Sequence, residues 1–496
     1  MMQTMNLKPT FSKIALPLVV GAFCPLLREA QDEPITGPVE TPFGKFQLEK
    51  GLPAGATESD RLYDELDFQR ACQAYIWALP IVSFAEWQHE HETVFGAKDG
   101  DLVVYTTYRD KLGILTANAT TPYIVTFVNL AHTGPLVVVS PPGAIAGGMG
   151  DFWQRPLTDI GQTGPDQGKG GKYLVVGPGQ ETPKADGYYV VHSPTINVMA
   201  GFRALDVDPT KAKAIVSKIQ IHPYRQRTNP PLTRLISAEG KSYSQVQPRG
   251  LEYWERLHAI LQEEPVEERD RMFMAMLAPL GIEKGKPFTP DARQKKILTE
   301  GAQVGQLMAI NNSFSKRFKD ARYRSDTNWV YVIEFDPGQE EEFYSQLDQR
   351  AAYFYEAVTS SKGMVTRIPG IGQAYLGAYK DKTGQWFDGA KKYKLHVPAD
   401  PPAKQFWSLT LYDTETRCLI DNSPGVADKS SRMPDLLKNA DGSVDLYMSP
   451  EAPAGQEQNW IPTVPGKYWF AYFRLYAPLE SYLSASWPLP DIELVP

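Results

Sequence analysis

Between residues 151 and 172 the chain gathers the side chains that proton-transfer chemistry uses. Carboxylates stand at Asp151, Asp159 and Asp166, cations at Arg155, Lys169 and Lys172, and Phe152, Trp153 and several glycines lie among them. A carboxyl buried beside an aromatic ring holds its proton more tightly, whereas one paired with a guanidinium stays ionised. A split of that kind suits a general acid/base pair. On this reading Asp151 or Asp159 carries the proton, Arg155 and Lys169 are the anion contacts of a small polar or anionic substrate, Asp166 and Lys172 bind it beside them, and Trp153 forms a hydrophobic wall. The competing reading is a salt-bridged loop that fastens two strands.

Other chemistries fit less well. The segment GQTGPDQGKGGKYLVVGPGQ (161–180) has the glycines and lysines of a phosphate loop, but not the spacing, the hydroxyl after the lysine or the following helix. Glu86 and His89, and again Glu255 and His258, repeat the Glu-x-x-His pattern of di-iron bundles, although that site needs two more helical glutamates in a four-helix core. These four are the metal candidates; no metal and no other cofactor is expected. Gly-x-Ser-x-Gly, His-Glu-x-x-His and a dinucleotide glycine fingerprint are all missing from the sequence. Asn118 and Tyr123, at the start of a strand, suit turn-making and could also contact a substrate. The C-terminal part is dense in aromatics (Trp407, Tyr412, Tyr468, Trp469, Tyr476, Trp487), with Arg474 among them. They suit either a core or a stacking platform. Asn459 and Trp460 fall in a proline-bounded loop, where a ligand contact is the better expectation.

A net charge of −7 leaves no basic surplus for a nucleic-acid backbone, so the expected partner is a small molecule. Self-association is left open. Lys8 and Lys13 precede a short apolar run, Ile14 to Cys24, which reads as a signal peptide within residues 1–30 and implies a periplasmic or secreted protein. No later stretch is long and apolar enough to span a bilayer. Removal of that peptide leaves Cys72 and Cys418, expected as buried free thiols.

The elements that must position these groups follow from periodicity. Residues 31–57, rich in Pro, Gly and Glu, read as a linker or extended arm. Leu62, Leu66, Phe68, Ala71, Tyr75 and Leu79 have helical spacing, interrupted at Pro80. LVVYTTY, YIVTFVNL, PLVVVS, KYLVVG and GYYVVHS then read as strands of an N-terminal α+β domain over 58–204. YWERLHAILQ and DARQKKILTEGAQVGQLMAI carry helical spacing in a middle region, 205–372, which also holds the strand NWVYVIEF and the helix EEEFYSQLDQRAAYFYEAVTSS. Strands return over 373–496 as a C-terminal antiparallel β-sandwich, jelly-roll-like. The fold class is α+β.

Several stretches are familiar together. TANATTPY, DFWQRPLTDIGQTGPDQGKGGKYLVVGPG and LAPLGIEKGKPFTPDARQKKIL resemble the family called domain of unknown function 1254. FWSLTLYDTETRCLIDN, NADGSVDLYMSP and NWIPTVPGKYWFAYFRLYAPLESYLSASWPLP resemble its companion, domain of unknown function 1214. The resemblance implies a bacterial-type, often exported protein of mixed α and β layers, and no reaction. Three functional readings therefore stand: an enzyme using carboxylate acid/base chemistry on a small polar or anionic substrate in an interdomain cleft, a carbohydrate or envelope ligand-binding module, and a structural or interaction protein.

Overall fold

The structure is a computed structural model that describes residues 35–496. The apolar run Ile14 to Cys24 lies outside the described residues. The chain divides into a small unit ending at Leu66 and a large one, Asp67–Pro496. In the small unit, β1 (Gly37–Thr41), β2 (Gly44–Glu49) and β3 (Leu52–Pro53) form an antiparallel sheet, so the stretch read as a linker carries secondary structure. Phe46 is its buried anchor, with the Arg61 guanidinium 4.5 Å from the ring centroid. Helix α1 (Ala56–Thr93) begins here.

From Ala74 to Trp87, α1 is buried on every side. A helix so enclosed needs apolar residues all round, which YIWALPIVSFAEW supplies. The helix does not break at Pro80, whose carbonyl accepts the Gln154 Nε2 amide at 2.7 Å.

Ten strands follow: β4 (Leu102–Tyr105), β5 (Tyr123–Asn129), β6 (Leu136–Ser140), β7 (Ile145–Asp151), β8 (Pro156–Gly161), β9 (Gly171–Val176), β10 (Tyr189–His192), β11 (Asn197–Ala204), β12 (Gln220–Pro223) and β13 (Leu235–Ser237). They make a six-stranded sheet, β13-β4-β5-β11-β7-β8, and a four-stranded sheet, β10-β9-β6-β12. Ile124, Val198 and Phe202 from the first meet Val138, Val175 and Ile221 from the second in one core. The period of two along β11 sends Val198, Ala200 and Phe202 into that core and Met199, Gly201 and Arg203 to the opposite face.

A helical layer covers α1. Helix α2 (Leu251–Glu263) is tied to α1 by the Tyr253 hydroxyl, which donates to Tyr75 O at 2.8 Å. Helix α3 (Ala292–Phe314) starts at an Asp291–Gln294 capping box. It packs on α1 through glycines: a Cβ at Gly301 would lie 2.4 Å from Ala71 Cβ. Helix α4 (Leu347–Glu356) is shorter than the sequence pattern predicts, and residues 340–346 form turns instead. The strand expected over NWVYVIEF is only β14 (Val330–Tyr331).

The C-terminal strands are β15 (Gln373–Ala378), β16 (Phe387–Asp388), β17 (Tyr393–Val397), β18 (Ala403–Asp413), β19 (Asp428–Ser430), β20 (Val444–Ser449), β21 (Trp460–Pro462), β22 (Tyr468–Pro478) and β23 (Glu493–Leu494). One sheet runs β14-β15-β22-β18-β19, with β16 on β22, and the other β21-β20-β17-β23. They pack on Leu409, Leu411 and Phe473 against Leu395, Leu446 and Met448, with the Tyr393 and Trp469 ring centroids 5.5 Å apart. The β20–β21 pair is parallel, so the sandwich is antiparallel apart from that edge. The whole is a mixed α+β fold whose sheets are mostly antiparallel, and none closes into a barrel. Among the described residues no helix is long and apolar enough to cross a membrane. Cys72 and Cys418 are free and buried.

Candidate functional site

The two six-stranded sheets meet around a cavity of about 120 Å³. The sheet led by β11 contributes the face turned away from its own sandwich. Register places Arg203 between Tyr123 of β5 and Ala146 of β7, and Gly201 between Val125 and Gly148. The floor is therefore bare backbone. A Cβ at Gly148 would project toward the Ser361 side chain, 3.8 Å away, while Gly147, one residue earlier, is tight against the Gly201 carbonyl. Glycine in a strand commonly marks such a close approach or an opening.

The C-terminal sheet contributes a polar face. Tyr472, Arg474 and Tyr476 alternate on β22 with the core residues Ala471, Phe473 and Leu475, and Tyr375 of β15 pairs with Arg474. Arg474 is 4% exposed; it donates to the Tyr412 hydroxyl and, through Nη2, to Thr116 O at 2.7 Å. Thr359 and Ser360, from the strap after α4, close the third side. Gln154, held at a left-handed φ of 62°, binds that strap: its Oε1 accepts the Thr359 N–H at 2.8 Å and its carbonyl accepts the Ser360 hydroxyl at 2.7 Å.

The electrostatics are unusual. Among the described residues neither Arg203 nor Arg474 forms an ion pair, and the Arg203 guanidinium makes no hydrogen bond. Burial works to lower the Arg203 pKa, but Tyr375, Tyr123 and Tyr476 hold it above its ordinary value, with Arg474 opposing. Both guanidiniums stay charged. Burial pushes the Tyr375, Tyr412 and Tyr476 hydroxyls up, so they remain protonated donors. Tyr123 Oη accepts the Asn118 N–H at 3.1 Å and Nδ2–H at 3.0 Å, which leaves its own proton to donate. Behind it Lys111 donates to the carbonyls of Ala119 and Thr121 at 3.2 and 2.8 Å, and burial brings its pKa down to about 8. Asp428, raised by burial, accepts the Thr120 hydroxyl at 3.1 Å and faces Lys111 and Arg474.

Of the residues singled out in the sequence, Tyr123 and Arg474 line this cavity and Asn118 positions Tyr123. Asp151 is buried away from it, gripped by the Arg155 N–H at 2.9 Å and Nε at 2.7 Å, and Arg155 continues to Glu267 at 2.5 Å. Asp159 accepts the N–H groups of Lys362 and Gly363 at 3.0 and 2.7 Å and so anchors the strap. Burial raises both carboxyls. Trp153 packs on Trp77 with ring centroids 4.8 Å apart, outside the cavity. Asp166 accepts the Tyr173 hydroxyl at 2.6 Å, whereas Lys169 and Lys172 are exposed. Asn459 bonds Leu437 and Asp445 backbone, Trp460 donates to Ser449 O, and neither reaches the cavity.

Glu86 pairs with Arg256 at 2.9 Å, and the His258 ring nitrogen lies 2.9 Å from Lys286 O; His89 is half-buried and Glu255 exposed. Among the described residues no three His, Cys, Asp or Glu side chains are grouped to hold a metal. Of the C-terminal aromatics, Trp407, Tyr412, Trp469, Tyr476 and Trp487 are buried, which leaves Tyr468 as the exposed one. The sequence reading missed Arg203, Tyr375 and Gln154. The alternation in NVMAGFRA could have exposed Arg203, because it puts the only charge of that strand on the face opposite Val198, Ala200 and Phe202.

Two family models match the chain. Residues 101–223 match a protein of unknown function (DUF1254), and residues 372–480 match another protein of unknown function (DUF1214), in the order that the motifs imply. Tyr123, Gly148 and Arg203 belong to the DUF1254 region and Tyr375, Tyr472 and Arg474 to the DUF1214 region, so the cavity is built jointly by both. The VPA0106 protein from Vibrio parahaemolyticus is similar in structure at 18% identity, with a TM-score of 0.55 over 87% of this chain and 100% of that one. An uncharacterised protein from Burkholderia cenocepacia gives 11% identity and a TM-score of 0.41 over 88% of this chain and 97% of that one. At such identity the first likeness establishes the fold alone. Comparison with curated proteins gives no match.

Proposed function

We propose that the chain binds a small organic anion in the cavity between its DUF1254 and DUF1214 regions. The observation that carries this reading is the Arg203 guanidinium, which faces the cavity with Arg474 nearby and, among the described residues, no carboxylate paired to it. A half-buried charge without a counter-charge is partly stripped of water, and an anionic ligand offsets that cost. Acid/base catalysis by Asp151 and Asp159 has less support, because their oxygens already accept hydrogen bonds from the fold. A carbohydrate-binding surface has little, because the expected aromatic platform is mostly core. Export to the periplasm or beyond remains part of the proposal and rests on the N-terminal sequence.

Isothermal titration with acetate, butyrate and sulfate, comparing the full chain with Arg203→Met, tests the reading. Binding should weaken by at least about tenfold in the variant, the loss of roughly one charge-assisted hydrogen bond. Equal affinity in both proteins would remove the site.

A further inference from the structure

The cavity has two ends of opposite character, and the register of β11 orders them. Arg203, Tyr123 and Arg474 form the cationic end. Two residues along the strand, Gly201 lies between Val125 and Gly148; two further, Met199 lies between Phe127 and Gly150. At strand spacing, Met199 is about 13 Å from Arg203. Phe84 and Trp87 of α1 line this second end and pack on Phe127, with ring centroids 5.7 and 5.6 Å away.

The polar atoms near the second end are already bound within the fold. Gln154 Nε2 donates to Pro80 O, its Oε1 accepts from Thr359, and the Ser360 hydroxyl donates to Gln154 O. Trp87 Nε1 donates to the Tyr105 hydroxyl at 3.3 Å. A second charged group placed there would find no cation among the residues lining that end, since the Thr359 and Ser361 hydroxyls are neutral, whereas an apolar group loses nothing. The glycine floor at Gly148 and Gly201 leaves width for carbon atoms between the two ends.

Resting on the reading that the anion sits at the two arginines, we propose that the ligand is a monocarboxylate with a short apolar tail. The carboxylate bridges Arg203 and Arg474 and takes the Tyr123 proton, while the tail lies over Gly201 toward Met199, Phe84 and Trp87. The size follows from the volume: a cavity of ~150 Å³ accepts benzene, so about 120 Å³ suits an acid of roughly five or six non-hydrogen atoms. An inorganic oxyanion would fill only the cationic end. A dicarboxylate would bury its second charge among aromatic rings.

Titration calorimetry of the full chain with the linear acids from formate to octanoate, with sulfate, with succinate and with 1-butanol separates these cases. Affinity should rise roughly fourfold per methylene, peak near three to four carbons and fall by octanoate, with sulfate, succinate and 1-butanol at least about tenfold weaker than butyrate. Gly201→Ala places a methyl in the tail's path, 3.4 Å from Met199 Sδ, and should move the optimum to a shorter acid while circular dichroism stays unchanged. A flat series, or sulfate or succinate binding as tightly as butyrate, overturns the tail and leaves the anion site standing. Tight, Arg203-independent binding of 1-butanol, or no binding of any anion, overturns both.

Discussion

Two buried arginine clusters lie in this molecule, and they are built differently. Around Trp153, Arg155 pairs with Asp151 and Glu267 at 2.7 and 2.5 Å, and Arg269 pairs with Asp270 at 3.4 Å, whose other oxygen accepts the Trp77 indole at 2.9 Å. Arg350 sits 5.8 Å from the Trp153 ring, its pKa brought down to about 9 by burial and by Arg269. Around the cavity, Arg203 and Arg474 are surrounded by tyrosines and carbonyls, with Asp428 facing Arg474 but forming no ion pair with it. The first cluster supplies its own anions to Arg155 and Arg269 and so fastens elements together, while Arg350, enclosed beside them, keeps Nε and Nη2 without a hydrogen-bond partner among the described residues. The second leaves Arg203 without a carboxylate partner among the described residues and, unlike the first, borders an open space, which shapes it for something that arrives from outside.

The sharpest way to break this contrast is to remove an anion from the self-sufficient cluster. Asp151→Ala leaves Arg155 half-compensated in a buried setting and should cost about 3–5 kcal/mol in urea unfolding. A loss under ~1 kcal/mol would mean that the pairing contributes little and that the two clusters are alike.

Lys111 sharpens the contrast through pH. Its folded pKa of about 8 lies below the unfolded value near 10.4. Between those values the unfolded chain binds more protons, so stability should rise as pH increases through that window and stay independent of this residue below it. The full rise is on the order of 3 kcal/mol. Denaturant midpoints from pH 7.5 to 10.5 should climb in the natural protein and lose that component in Lys111→Met. Identical slopes in the two proteins would show that the buried ammonium is already balanced, chiefly by Asp428.

How far the sequence reveals these clusters depends on what produces each signal. Strands β4, β5, β6, β9 and β10 were legible because Val, Ile and Tyr mark them, and α2 and α3 because their apolar residues recur at helical spacing. Strands β7 and β11 were not, because IAGGMGD and NVMAGFRA carry the glycines that weaken a strand signal. Those same glycines open the cavity, so the feature that makes the site hides its scaffold. Charge density misled for a related reason: residues 151–172 are rich in charge, yet Asp151, Arg155 and Asp159 are consumed by one another or by backbone donors. Arg474 and Tyr123 stood out by residue type alone, whereas Arg203 needed its strand to be recognised first.

The glycines of β7 give a paired test. A Cβ at Gly147 would fall 2.2 Å from Gly201 O, backbone against backbone, so Gly147→Ala should force β7 and β11 apart at a cost of about 1–3 kcal/mol. At Gly148 the nearest atom is Thr158 O at 3.3 Å, and Gly148→Ala should change stability by less than about 1 kcal/mol while narrowing the cavity. Equal destabilisation in urea titrations would place the tight contact elsewhere.

The smallest expected stability change is the most informative. Arg203→Met removes a guanidinium that no carboxylate pairs and keeps a long apolar stem against Ala146 and Tyr123. Replacing a buried charge with an apolar side chain of similar reach is commonly neutral or stabilising. Ligand-free Arg203→Met should therefore unfold at the same urea concentration as the natural protein or slightly above it, by up to about 1 kcal/mol, the opposite sign to Asp151→Ala. If Arg203→Met instead lost ~3 kcal/mol or more, Arg203 would be holding the fold together, and the difference between the two arginine clusters would vanish along with the reason for placing a ligand between the sheets.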